Sequence, residues 1–122
     1  MPDSSDTEIE AVVEEYFRGM YEGDVERLKR IFHPESWLYG ERKGKKSAFP
    51  VNGFFEYVDH VPVPGDVGEA YEMSIKSIDR AGPIAVVRVE DLYQGAHYTD
   101  FLTLMETDDG WRIVNKAYHS ED

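Results

Sequence analysis

Asp100, Tyr98 and His119 are the side chains best suited to moving a proton in this 122-residue chain. Residues 97–107 alternate with period two. Tyr98, Asp100, Leu102 and Leu104 therefore share one face of a strand, and His97, Thr99, Phe101, Thr103 and Met105 share the other. Apolar content alone allows either face to be the inner one. A carboxyl buried among aromatic rings resists ionisation. It then serves as a neutral hydrogen-bond donor to a developing oxyanion, or as a general base with a pKa nearer the working pH. The plainer alternative is an Asp100 carboxyl simply paired with Tyr98, Asn115 or His119, or facing water. Over residues 111–119, Trp111, Ile113, Asn115, Ala117 and His119 fall on one face, and Arg112, Val114, Lys116 and Tyr118 on the other. The set containing Trp and Ile is assigned inward, which makes His119 the histidine best placed for acid–base work.

Other chemistries find fewer residues. Tyr39, Tyr57 and Tyr98 each carry a phenol that completes an oxyanion hole or, more plainly, packs in the core with a hydrogen-bonded tip. His33 follows a helix end and precedes Pro34, so it reads as a helix stop. His60 falls in a Pro/Gly-rich loop, where it can touch a ligand. Asp59–His60 and His97-x-x-Asp100 are isolated pairs, short of a metal-ligand set. No serine sits in a nucleophile elbow. The basic run Lys43-Gly-Lys-Lys46 lacks a phosphate-loop pattern and reads as a solvated turn.

These residues need a scaffold. Ile9, Val12, Val13, Tyr16, Phe17, Met20 and Tyr21 recur at helical spacing, and Gly23 ends that helix. Asp24 caps a second helix carrying Val25, Leu28, Ile31 and Phe32. A short aromatic strand follows at 36–42. A third helix after Pro50 carries Phe54, Phe55, Tyr57 and Val58. Residues 60–68 form a loop, and strands are expected at 71–79, 84–93, 97–107 and 111–119. Gly-Pro, Gln-Gly and Asp-Gly breakers make those four an antiparallel meander. The fold class is α+β, a single domain over 7–119 behind a disordered leader at 1–6.

Composition narrows the partners. Net charge is −12, from 25 acidic and 13 basic residues, so nucleic acid and acidic membranes are not expected ligands. There is no cysteine, which excludes thiol chemistry and disulfides. No apolar run reaches the ~20 residues of a membrane span, and the polar N-terminus is no signal peptide. A cytoplasmic location is the expectation. Eight Tyr, six Phe and two Trp exceed what packing needs and suit the wall of a cavity.

The segments Phe32-His33-Pro34, Pro50-Val51-x-x-Phe54, Tyr98-x-Asp100-x-Leu102-x-Leu104 and Gly110-Trp-Arg-Ile-Val-Asn-Lys116 resemble the nuclear transport factor 2-like superfamily. That group includes ketosteroid isomerases and SnoaL-like polyketide cyclases, and the resemblance is strongest to its lumazine-binding branch. It runs from about Thr7 to His119. It implies a cone-shaped fold in which a curved, mainly antiparallel sheet wraps three N-terminal helices around a pocket. It also implies a homodimer through the outer sheet face, and an acid on the strand of Asp100 that points into the cavity. The isomerase tyrosine of the first helix has Tyr16 as its nearest candidate here.

Two functions follow as expectations. One is a small-molecule-binding domain with walls from Trp37, Tyr39, Phe54, Tyr57, Met73, Tyr98 and Trp111, and orienting groups Asp100, Asn115 and His119. The other is an isomerase, cyclase or dehydratase without cofactor or metal, in which Asp100 or His119 is the base and a tyrosine stabilises the enolate. A non-catalytic dimerisation module is the third reading.

Overall fold

The computed structural model describes residues 4–121, with side chains from Asp6 onward. The element order is α1 (Ser4–Glu22), α2 (Val25–Ile31), β1 (Phe32–Arg42), β2 (Lys45–Pro50), α3 (Val51–His60), β3 (Met73–Ala81), β4 (Ile84–Tyr93), β5 (Ala96–Thr107) and β6 (Gly110–Ser120). The strands form one six-stranded sheet in the order β2-β1-β6-β5-β4-β3. Among the described residues, β1 and β6 pair in parallel and every other strand pair is antiparallel. The class is α+β, with three helices covering one face of the curved sheet.

Local chemistry explains the elements. The stripe Ile9, Val13, Tyr16, Phe17 and Met20 is fully buried, as the helical period requires. Asp24 caps α2 by accepting the Arg27 N–H at 3.1 Å. Pro34 bars a further helical turn, and the chain leaves α2 directly into β1. His33 Nδ1 accepts the Glu35 backbone N–H at 3.0 Å, a local role that matches a helix stop. The loop 61–72 is tied to the β4–β5 turn through Glu69, whose carboxylate takes the N–H groups of Gln94 and Gly95.

Three expectations change. Of the expected leader, residues 1–3 lie outside the described residues, but Ser4–Asp6 form the first turn of α1 and Asp6 lies 3.4 Å from Arg80. Lys45–Pro50 is an edge strand rather than a loop continuing into α3. The third correction concerns the faces of β6. Asn115 pairs with Thr103 but Ile113 pairs with Leu104, so Val114 is an extra residue on β6. This bulge swaps the alternation. Trp111 and Ile113 face the helices, but beyond the bulge Lys116 and Tyr118 do so, while Asn115, Ala117 and His119 turn outward.

The partner strand follows suit. Leu38 pairs with Lys116 and is completely buried, so Trp37 and Tyr39 on either side of it point outward, 45% and 50% exposed. On β5 the inward set is Tyr98, Asp100, Leu102 and Leu104. Asp100 is 1% exposed and Phe101 46%.

Candidate functional site

Between the inner sheet face and helices α1 and α3 lies a cavity of about 740 Å³, within the range of small-molecule sites. Rings form much of its wall: Phe54 and Tyr57 from α3, Tyr93 from β4, Tyr98 from β5 and Tyr118 from β6. Tyr57 and Tyr93 have ring centroids 6.4 Å apart, and Tyr98 and Tyr118 6.0 Å apart. Tyr118 is seated by Gly40, its cross-strand partner. A Cβ on Gly40 would lie 1.9 Å from the Tyr118 ring, so only glycine lets the ring cross β1.

The buried polar groups of the wall are Asp91, Asp100 and Lys116. Period two on β4 places Ala85, Val87, Val89, Asp91 and Tyr93 on the inner face. Asp100 pairs with Val89 and Asp91 with Tyr98, so the two acids are diagonal neighbours. The hydroxyl of Tyr16, deep in α1, donates to Asp100 Oδ2 at 2.7 Å. Asp91 Oδ2 and Asp100 Oδ1 are both buried with no donor of their own.

Two buried carboxyls side by side do not both ionise readily. Burial first, then the charge of Asp100 and a side-chain hydrogen bond to it, push the Asp91 carboxyl up to about 9. At neutral pH Asp91 is therefore a carboxylic acid, and its proton satisfies an oxygen of the pair. Tyr16 is held well above the ordinary phenol range by burial and by the charges of Asp100 and Asp91, so it remains a donor.

Lys116 supplies the opposing charge. Its Nζ lies 4.3 Å from the ring centroid of Phe54, 5.0 Å from Tyr16 and 5.3 Å from Tyr118. It has no ion pair within 4 Å among the described residues. Cation–π attraction to three rings therefore carries much of the cost of burying it. Its field acts on Asp91 in the lowering direction, but weaker than the terms that raise it.

Of the residues named from sequence, Asp100, Tyr98, Phe54 and Tyr57 meet in the cavity wall. Met73 packs against the core beside Asp91, its cross-strand partner, and does not line the cavity. Trp111 is 2% exposed in the core and does not line the cavity either. Trp37, Tyr39, Asn115 and His119 lie on the opposite face of the sheet, a correction that follows from the bulge at Val114. There His119 Nδ1 meets Glu41. Its neighbours at the register position are Glu41 and Thr99, not the cavity.

Sequence reasoning missed Asp91 and Lys116. A signal existed for Asp91: it continues the apolar face Ala85-x-Val87-x-Val89 at period two. None existed for Lys116, whose face was inverted by one uncounted residue. Among the described residues no three His, Asp or Glu side chains converge as a metal site, and no helix is long and apolar enough to cross a membrane.

Comparison with known proteins agrees with this fold. The family model described as "Putative lumazine-binding" matches residues 4–119. Aldolase FrzH of Cladobotryum sp is 30% identical over 107 residues, spanning 86% of this chain and 82% of that protein. An NTF2-like protein of unknown function from Silicibacter pomeroyi superposes with a TM-score of 0.88 at 29% identity, covering 99% of this chain and 100% of that one. A cystatin-like fold protein from Burkholderia xenovorans gives a TM-score of 0.74 at 20% identity over 96% and 92% of the two chains, a likeness of fold alone.

Proposed function

The chain belongs to the lumazine-binding family of nuclear transport factor 2-like proteins, a ligand-binding or isomerase-type domain, and on that footing we propose that its cavity enolises a carbonyl compound without a cofactor. The observation that carries this reading is the pair Asp100 and Asp91 on the cavity wall, with Tyr16 donating to Asp100 from behind it. Asp100, which accepts the Tyr16 hydroxyl, is the general base. It removes a proton from the carbon beside the carbonyl. Asp91 turns its O–H to the carbonyl oxygen as the electron pair moves there, and the Lys116 ammonium stabilises the resulting enolate. Tyr16 fixes the Asp100 carboxyl from behind. Where a β,γ double bond extends the enolate, the proton returns at the γ carbon, which is isomerisation. Otherwise the α carbon attacks a second carbonyl in the ligand and the new alkoxide takes the proton back, which is an aldol step. The name of the Cladobotryum aldolase supports the second outcome.

The aromatic walls alone support a coarser reading, a domain that binds a flat, mainly apolar molecule. The acid pair is what favours chemistry over binding, since a binding site has no need of two carboxyls sharing a proton. The test is solvent exchange. Aryl ketones and 1,3-diketones are incubated with the protein in D2O and their C–H signals followed by NMR. Enolisation predicts deuterium uptake beside the carbonyl with the native protein and loss of it in Asp100→Asn. Equal uptake with both proteins would remove the base from the account.

We further propose that the outer sheet face joins two copies of the chain. Trp37, Tyr39, Ile84, Val86, Phe101 and Met105 are each more than two-fifths exposed there, and large apolar side chains exposed on one face suit an interaction surface.

A further inference from the structure

The β1–β2 hairpin carries Arg42, Lys43 and Lys45, and all three line the mouth of the cavity. They are exposed, and none lies within 4 Å of a carboxylate among the described residues. That is unexpected in a chain with 25 acidic and 13 basic residues. The nearest acid in sequence, Glu41, points to the outer face, where it holds His119 and accepts the Gly44 backbone N–H. The hairpin turns at Lys43–Gly44 with φ of 54° and 82°. The first of those positions favours Asn, Asp or Gly, so lysine stands there against local preference. Arg42 lines the same cavity as Tyr98 and Tyr118, and its charge acts on both phenols in the lowering direction.

We infer that this rim is an anion subsite, and that the ligand is a carbonyl compound carrying a carboxylate or phosphate. The inference rests on the enolising reading for the carbonyl end and adds the other end. Arg42 and Asp91 lie on inner-face strands three places apart in the sheet, a span of roughly 14 Å between backbones. Their side chains project into the cavity between them. The ligand is thus a ring system or short chain with its anion at the hairpin and its carbonyl at the acid pair. A net charge of −12 repels anions elsewhere on the surface, so the rim is where one is drawn in.

The test compares 2-naphthoate and 2-naphthyl phosphate with neutral 2-acetonaphthone, by fluorescence titration. Arg42, Lys43 and Lys45 are exposed, so Arg42→Gln/Lys43→Gln/Lys45→Gln leaves the core intact. The native protein is expected to bind an anionic probe about tenfold or more tighter than the neutral one, the margin disappearing in the variant and shrinking from about 20 to about 200 mM salt. Preference for one of the two anionic probes distinguishes carboxylate from phosphate. Equal binding of neutral and anionic probes by the native protein would overturn the rim while leaving the carbonyl site in place. Binding of none of the three would overturn both.

Discussion

The Tyr16 hydroxyl on α1 and the Asp100 carboxylate on β5 are 84 residues apart in sequence and 2.7 Å apart in space. The bond ties the first helix to the centre of the sheet and aims a buried acid. Tyr16→Phe keeps the ring and deletes only the donor. It is expected to cost about 1–3 kcal/mol by denaturant unfolding, because Asp100 is left with an unmet acceptor in the interior. It should also slow exchange at a bound ketone, since the base loses its orientation.

Asp91 makes stability depend on pH in a defined direction. Its carboxyl is raised from 3.8 to about 9 in the folded protein. The folded state therefore holds a proton that the unfolded state has released. This contribution is complete below about pH 4 and declines as pH rises towards about 9. Asp91→Asn removes the titration. The melting temperature of the variant relative to the native protein should climb steadily between pH 5 and pH 9, measured by calorimetry. A constant difference would show that Asp91 titrates normally.

His119 and Lys116 separate the two possible faces of β6. His119→Ala is expected to leave deuterium exchange within about twofold of the native rate, because the imidazole lies outside with Glu41. Lys116→Met keeps the length of the chain among the rings but removes the charge. It should lower exchange by at least about tenfold, the cost of one missing oxyanion partner.

Gly40 is a packing constraint. Gly40→Ala forces the Tyr118 ring from its seat, with an expected loss of about 1–3 kcal/mol and weaker binding of aromatic probes. Unchanged unfolding would mean that Tyr118 rests elsewhere.

Phe101 tests the proposed pairing of chains. Phe101→Glu places a charge in the apolar outer face. Light scattering should give twice the 14.0 kDa chain mass for the native protein and a single chain for the variant. A native monomer would remove this face as an interface.

Much of the scaffold was legible in the residues. Ile9, Val13, Tyr16, Phe17 and Met20 announce α1 through a 3.6-residue period, and glycine or proline breakers separate the strands of the meander. The inward direction of Asp100 came from the resemblance to ketosteroid isomerases and from setting Leu102 and Leu104 beside Trp111 and Ile113, since apolar content alone left both faces of the strand open. The reach of the site did not follow. A bulge adds one residue without a glycine or proline to mark it, and Val114 is an ordinary strand residue. From that point every assignment on β6 inverted, which hid Lys116 and promoted Asn115 and His119. The outward turn of Trp37 and Tyr39 depends on the same register through Leu38. Lys45–Pro50 hid a strand because lysine and serine dominate it, and an edge strand needs little apolar surface.

Carboxyl-carbon NMR with aspartate labelled, titrated from about pH 3 to about pH 10, reads the shared proton directly. The account predicts one buried aspartate titrating near 9, absent in Asp91→Asn and shifted in Asp100→Asn. If Asp91 and Asp100 both titrate in the ordinary carboxylate range, near 4, the acid pair does not exist and the proton-transfer function has no basis.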